Sequence, residues 1–199
     1  MSDAIGEVVE SSTRQFVAEV YDEASPPPFG TWVRVEGDRG AELFGLVSHV
    51  EVASYDQNRQ AVALGMDAEE RAREMPMVQE LLRTTVRAQL LAVRPEGGSV
   101  RQTLPPHPPG IHDFVYACSE EHVRSVGPPY DFLRTLVENP APDVPVDDLL
   151  VAVLGQVRAA HADGAGQGRD ALLRAGRALS RLLDDDHERL QSILRRVSS

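Results

Sequence analysis

Lysine is missing altogether: 199 residues carry 20 basic side chains, and every one is an arginine. That absence excludes a P-loop, whose lysine reaches the phosphates, along with Schiff-base chemistry and nucleotidyl transfer through an amine. Arginine does not substitute, because its guanidinium stays protonated and is a poor nucleophile. Cysteine occurs once, at Cys118, so no internal disulfide can form, which fits a reducing compartment. Aromatic residues make up only 5%. Long apolar runs are missing too. The longest, Leu149 to Leu154, falls far short of the roughly 20 residues a membrane-spanning helix needs. Met1-Ser2-Asp3-Ala4 has neither a positive n-region nor an apolar h-region, so no secretory leader is expected. The expectation is a soluble, cytoplasmic protein with no membrane partner.

What remains is 42% apolar, enough to bury a core in one domain or two small ones. Ile5–Ser11, Gln15–Val20, Thr31–Glu36 and Leu43–Val52 read as short strands separated by turn-forming residues. Pro26, Pro27, Pro28 and Gly30 break the chain before the third, and Gly37-Asp38-Arg39-Gly40 turns it afterwards. Asp67 to Glu74 is charged and helix-favouring, and Pro76 starts a short turn through Leu82. Thr84–Val93 and Asp113–Cys118 supply a fifth and a sixth strand. Between them, Leu104-Pro105-Pro106-His107-Pro108-Pro109-Gly110 fits neither helix nor central strand. Short strands at this spacing predict a small antiparallel barrel, because closure removes exposed edges.

From Pro128 the apolar period becomes helical. Tyr130–Glu138 is stopped by Asn139-Pro140, and a helix through Ala160 starts at Val146 with Asp147 as cap. A last stretch carries the apolar stripe Leu172, Leu179, Leu183, Leu190, Leu194 and Val197, with Asp184-Asp185-Asp186 restarting the helix. The fold class expected is α+β: a small N-terminal antiparallel β-barrel over residues 1–127, then an α-helical domain over 128–199. Residues 1–127 hold 20 acidic side chains and 11 arginines, net −9; residues 128–199 hold 11 and 9, net −2. Since nucleic-acid binding draws its affinity from cations meeting phosphates, so negative a barrel weighs against nucleic acid as a direct partner.

The candidate sites are few. His107, His112, Cys118 and His122 are all metal-ligand types, but their spacing fits no familiar zinc site, and core or loop roles explain them more simply. Asp184–Asp186 beside His187 suggests an acidic metal cluster, yet consecutive helical residues diverge by about 100°, so a cap on a solvated face is preferred. Gly164-Ala165-Gly166-Gln167-Gly168 follows a helix rather than a strand, which is the wrong context for a dinucleotide loop. No nucleophile elbow or spaced triad is present. No catalytic residue, cofactor or metal is expected. Trp32 and Arg34 share the outward face of the third strand and are the candidate interface residues. The alternative for Trp32 is packing beneath the helical half or the Pro26–Pro28 segment.

The ordered series Ile5-Gly6-Glu7-Val8-Val9-Glu10, Gly30-Thr31-Trp32-Val33-Arg34-Val35, and Gly45-Leu46-Val47 followed by Val50-Glu51 resembles the HAS-barrel. That domain is shared by HerA-type DNA translocases and rotary ATP synthase subunits. Leu81-Leu82-Arg83-Thr84-Thr85-Val86-Arg87-Ala88 and Leu104 to His112 look like the later strand and proline-rich exit segment of HerA proteins, so the likeness covers residues 4–126. In HerA proteins a RecA-like ATPase core follows the barrel. Here about seventy residues of predicted helix follow it, with no Walker lysine, so ATP hydrolysis is not carried over. The resemblance implies a stand-alone barrel acting as adaptor or regulator beside a HerA-like ATPase, a NurA-like nuclease or both, in DNA-end resection, with self-assembly as a further implication. The competing readings are a single-stranded nucleic-acid binder and, behind it, a metal hydrolase using His107, His112 and His122.

Overall fold

The computed structural model describes residues 3–21, 25–37, 40–55, 65–74, 82–162 and 166–198. Six strands, β1 (Gly6–Ser11), β2 (Gln15–Val20), β3 (Trp32–Glu36), β4 (Glu42–Ser54), β5 (Leu82–Arg94) and β6 (Phe114–Ala117), close into an antiparallel barrel in the order β1-β2-β5-β4-β3-β6. β4 and β5 extend the apolar stretches that announce them by one or two residues at each end. They pair from Glu42↔Arg94 to Ser54↔Leu82, with bulges between Phe44 and Gly45 and between Val47 and His49. Each bulge increases local twist, which helps long strands curl into a closed cylinder. Alternate residues point inward, so Val8, Phe16, Val33, Val35, Leu90 and Val115 fill the interior.

Helix α1 (Ala68–Glu74) lies in the β4–β5 connection, and five helices follow β6: α2 (Glu120–Val126), α3 (Phe132–Glu138), α4 (Val146–Ala159), α5 (Gln167–Leu182) and α6 (His187–Ser198). The architecture is therefore α+β, as the change of period predicts. The short turn expected from Pro76 falls outside the described residues except at Leu82, which already belongs to β5, as do parts of the Gly37–Gly40 turn and the glycine-rich connection after α4. One local expectation needs correction. Asp147 is not the cap of α4: Pro145 occupies that position and its carbonyl accepts from Leu149 N at 3.0 Å. Asp147 and Asp148 instead sit in the first turn, where the helix dipole favours negative charge. The C-terminal stripe is divided between two helices at the Asp184–Asp186 run, as expected: Asp186 Oδ1 accepts from Arg189 N at 3.1 Å and starts α6 afresh.

The barrel's outer surface is unequally covered. Trp32, Phe44, Leu46 and Leu91 turn outward from β3, β4 and β5 into one continuous apolar cluster with Phe132, Leu133, Leu150, Val153 and Leu154 of the helices. Three glutamine amides stitch this seam, each donating and accepting with main-chain groups. Gln89 on β5 donates to Asn139 O at 2.9 Å and accepts from Ala141 N at 3.1 Å. Gln102 donates to Val126 O and Gly127 O, both at 2.7 Å, and accepts from Phe132 N at 3.1 Å. Gln156 of α4 donates to Gly30 O and accepts from Trp32 N. A primary amide carries the same donor and acceptor as a peptide group, so each glutamine satisfies backbone that the seam would otherwise strand away from water. Among the described residues, the opposite flank, formed by β6, β1 and β2, carries no such cover.

Candidate interaction surface

Alternation along β3 puts Trp32, Arg34 and Glu36 on the outer face, as the sequence predicts, but neither candidate interface residue stands free. Trp32 is 1% exposed, its ring edge-on to Phe132 with centroids 5.2 Å apart. It anchors this chain's own helical half, which is the packing alternative weighed against an external anchor. Arg34, with 13% of its side chain accessible, lies over the Tyr116 ring at 4.5 Å and bonds Glu36 at 2.6 Å and Glu42 at 3.4 Å. Glu42 also takes Arg94, whose guanidinium stacks 5.3 Å from the Phe44 centroid and donates to Ser125 Oγ at 2.9 Å. Both residues are spent inside the molecule.

The histidine and cysteine candidates disperse. His107 lines a cleft at one barrel mouth, whereas His112 sits at φ 71° with Nδ1 3.1 Å from Glu7 Oε2. Among the described residues no three metal-type side chains gather at one point. Asp184 and Asp185 face solvent, while Asp186 is the cap already described. Cys118 follows β6, its amide donating to Trp32 O at 3.0 Å. Burial pushes its thiol up to about 12, against the pull of Arg34 and Arg94. Since the thiolate is the nucleophile, a disulfide reagent at pH 8 will label native Cys118 at least about a hundredfold more slowly than the denatured chain. Equal rates would contradict the buried position.

Ser119, His122 and Glu42 superficially assemble a nucleophile, base and acid. Ser119 Oγ and His122 Nδ1 are 2.9 Å apart, but the acid lies out of hydrogen-bond reach and both groups serve the helix end. Ser119 Oγ accepts from His122 N at 3.3 Å, and Ser119 N donates back to His122 Nδ1 at 3.1 Å, a reciprocal capping box with histidine in the usual Glu or Gln position. Nε2 lies 3.9 Å from Glu42, too far for a hydrogen bond. The group closes a helix end and ties α2 to β4. Burial, reinforced by Arg34, holds the His122 pKa below its ordinary 6.5. Proton uptake is therefore easier in the unfolded chain. The contribution of neutral His122 is complete above about pH 6.5 and is lost as pH falls through the folded value. His122→Gln, which keeps a side-chain acceptor for Ser119 N, will flatten that limb of stability against pH in urea titrations; an unchanged limb would assign it to other groups.

Two features of the outer surface remain open. A cleft of about 710 Å³ at the barrel mouth lies between the segment 101–108 and the ends of β4 and β5, floored by Leu43 and Val93. Pro105 and Pro109 are buried, and Ser11 Oγ donates to Pro109 O at 2.6 Å, which anchors this proline strap across the mouth. On the bare β6–β1–β2 flank, Phe114, Ile111 and Tyr21 are each exposed over about half their surface or more. Glu7, directly opposite Phe114 in the β1–β6 register, accepts from Tyr21 Oη at 2.5 Å. That bond, then His112, holds the Glu7 carboxyl below its usual range, while desolvation and Glu7 together push the Tyr21 hydroxyl up to about 12. Sequence reasoning picked out neither the strap's exposed side nor this flank, because exposure of Ile111 and Phe114 depends on which flank the helices cover. No family model matches the chain, and no curated protein matches it.

Proposed function

We propose that this chain is a non-enzymatic interaction module, an adaptor or regulator working beside a HerA-type DNA translocase and its NurA-type nuclease. The reading rests on the likeness of residues 4–126 to the HAS-barrel, and one observation supports it best: the barrel closes completely through β6–β1 pairing. Apart from residues 48–54 of β4, which run past β3, the barrel leaves no strand edge to extend, so a partner of the barrel wall reads side chains on the uncovered flank or at the mouth. With Trp32 and Arg34 engaged internally, the contact residues are those on the β6–β1–β2 flank and the proline strap.

The test is light scattering on a sizing column, with the protein alone and then mixed with the HerA-type ATPase or the NurA-type nuclease encoded in the same genome. A co-eluting complex of defined stoichiometry, weakened by Phe114→Ser, is the expected result. Separate elution from both proteins would overturn the reading. Submicromolar, salt-sensitive binding of single-stranded oligonucleotides by the chain alone would put the nucleic-acid alternative ahead.

A further inference from the structure

Helix α5 carries a charge pattern at odds with the rest of this acidic chain. Its inner face is small and close-packed: Ala171, Ala175 and Leu179 are buried, and a Cβ on Gly168 would come within 2.6 Å of Arg158 O. On the outer face Arg169, Leu173, Arg177 and Arg181 recur every fourth residue, with Arg174 beside them. All four arginines are exposed, and among the described residues none takes part in an ion pair. Leu173, in the middle of the row, is 50% exposed. Arg169 and Arg181 stand about 18 Å apart along the axis at 1.5 Å per residue. Elsewhere in the helical half three arginines find acids: Arg134 takes Glu138, Arg189 takes Asp147 and Arg196 takes Asp148. The α5 row is an unpartnered cationic strip with an apolar centre.

The same chain holds the complement. The bare β6–β1–β2 flank presents Glu7 and Glu10 beside half-exposed Phe114, Ile111 and Tyr21. α5 packs on α4, α3 and α6, on the far side of the helical layer from the strands, so its outer face is turned away from the barrel of its own molecule. We infer that the α5 row docks on the β6–β1–β2 flank of a second copy of this chain, with Leu173 against Phe114 and Ile111 and the arginines against Glu7 and Glu10. A phosphate backbone would use the arginines and leave Leu173 facing water, whereas the barrel flank uses both. Protein interfaces of this kind place an apolar centre within a polar rim in which arginine is enriched. Because the two surfaces differ, the contact is head-to-tail, and a pair keeps one free strip on one copy and one free flank on the other.

The experiment is light scattering of the purified chain over a concentration series. At about 10 mM salt, where the Debye length is roughly 30 Å, the mass is expected to climb above 21.8 kDa with concentration, returning to that value near 1 M. Arg174→Glu with Arg177→Glu should abolish the increase, as should Glu7→Arg with Glu10→Arg; circular dichroism verifies that both fold. Mixing the two variants should restore association, since each then supplies the surface opposite to the other's. A wild-type mass fixed at 21.8 kDa under all conditions would overturn the proposal, as would association indifferent to the charge reversals. So would a monomeric chain whose only stripe-dependent ligand is a single-stranded 20-mer.

Discussion

Trp32→Ala will destabilise the chain by about 3–5 kcal/mol, the range for removing a large buried aromatic. In a chain of this size that lowers the melting midpoint by roughly 6–20 °C. The ring is 1% exposed and sits edge-on to Phe132, which Tyr130 contacts from another side at 6.2 Å, also edge-on. Deleting it empties the centre of the seam between barrel and helices, and the strands cannot move in to fill the gap without breaking β3's pairing with β4 and β6. Trp32 Nε1 has no hydrogen-bond partner among the described residues, so the side chain works through packing. Trp32→Phe should therefore recover much of the loss, since it keeps ring contact and removes a buried donor. Chemical denaturation of the three proteins checks both statements. If alanine costs under about 1 kcal/mol, the helices do not depend on this anchor.

Gly30→Ala will cost as much as a typical core deletion, though it adds only a methyl group. Gly30 has φ +79°, where a side chain is strained, and a Cβ there would lie 2.3 Å from Ala152 Cβ of α4. The neighbouring carbonyl is also held, since Gln156 donates to Gly30 O one turn further along the same helix. Overpacking typically costs about 1–3 kcal/mol and the left-handed conformation adds about 1–2. The two terms separate experimentally. Ala152→Gly removes the clash but not the backbone strain, so the double variant should regain the overpacking part and retain the rest. Full additivity of the two single costs would mean that α4 does not approach β3 this closely.

The barrel was legible because its signal is local. The β2 limits are those that the alternation of Gln15–Val20 predicts, and β3 begins one residue late only because Thr31 holds the turn, donating to Pro28 O at 3.1 Å. The few extra residues at the ends of β4 and β5 were hidden, since Glu42, Ser54, Arg83 and Arg94 are polar and extend no apolar alternation. The capping role of Asp186 followed from residue type, whereas Pro145 displaced Asp147 because a rigid φ already fitted the turn before α4. The surfaces were harder. Trp32 alternates outward like any exposed residue, and only the arrival of Phe132, a hundred residues later, buries it. The glutamine stitches left no trace in the sequence for the same reason: an amide at Gln89 or Gln156 becomes a structural group only when a distant main chain reaches it. The α5 arginines were visible as letters, but their lack of partners is a property of three-dimensional neighbours.

The seam also sets a schedule for synthesis. The barrel cannot close until β6, ending at Ala117, has left the ribosome, and its outward apolar flank stays uncovered until α4, ending at Ala159, follows. At about 5–20 residues per second, those intervening residues take roughly 2–8 s to emerge. Early in that interval, before Phe132 and α4 arrive, a closed barrel with Trp32, Phe44, Leu46 and Leu91 facing water hangs from the ribosome, and the nascent chain is then at its most exposed to aggregation and to chaperone capture.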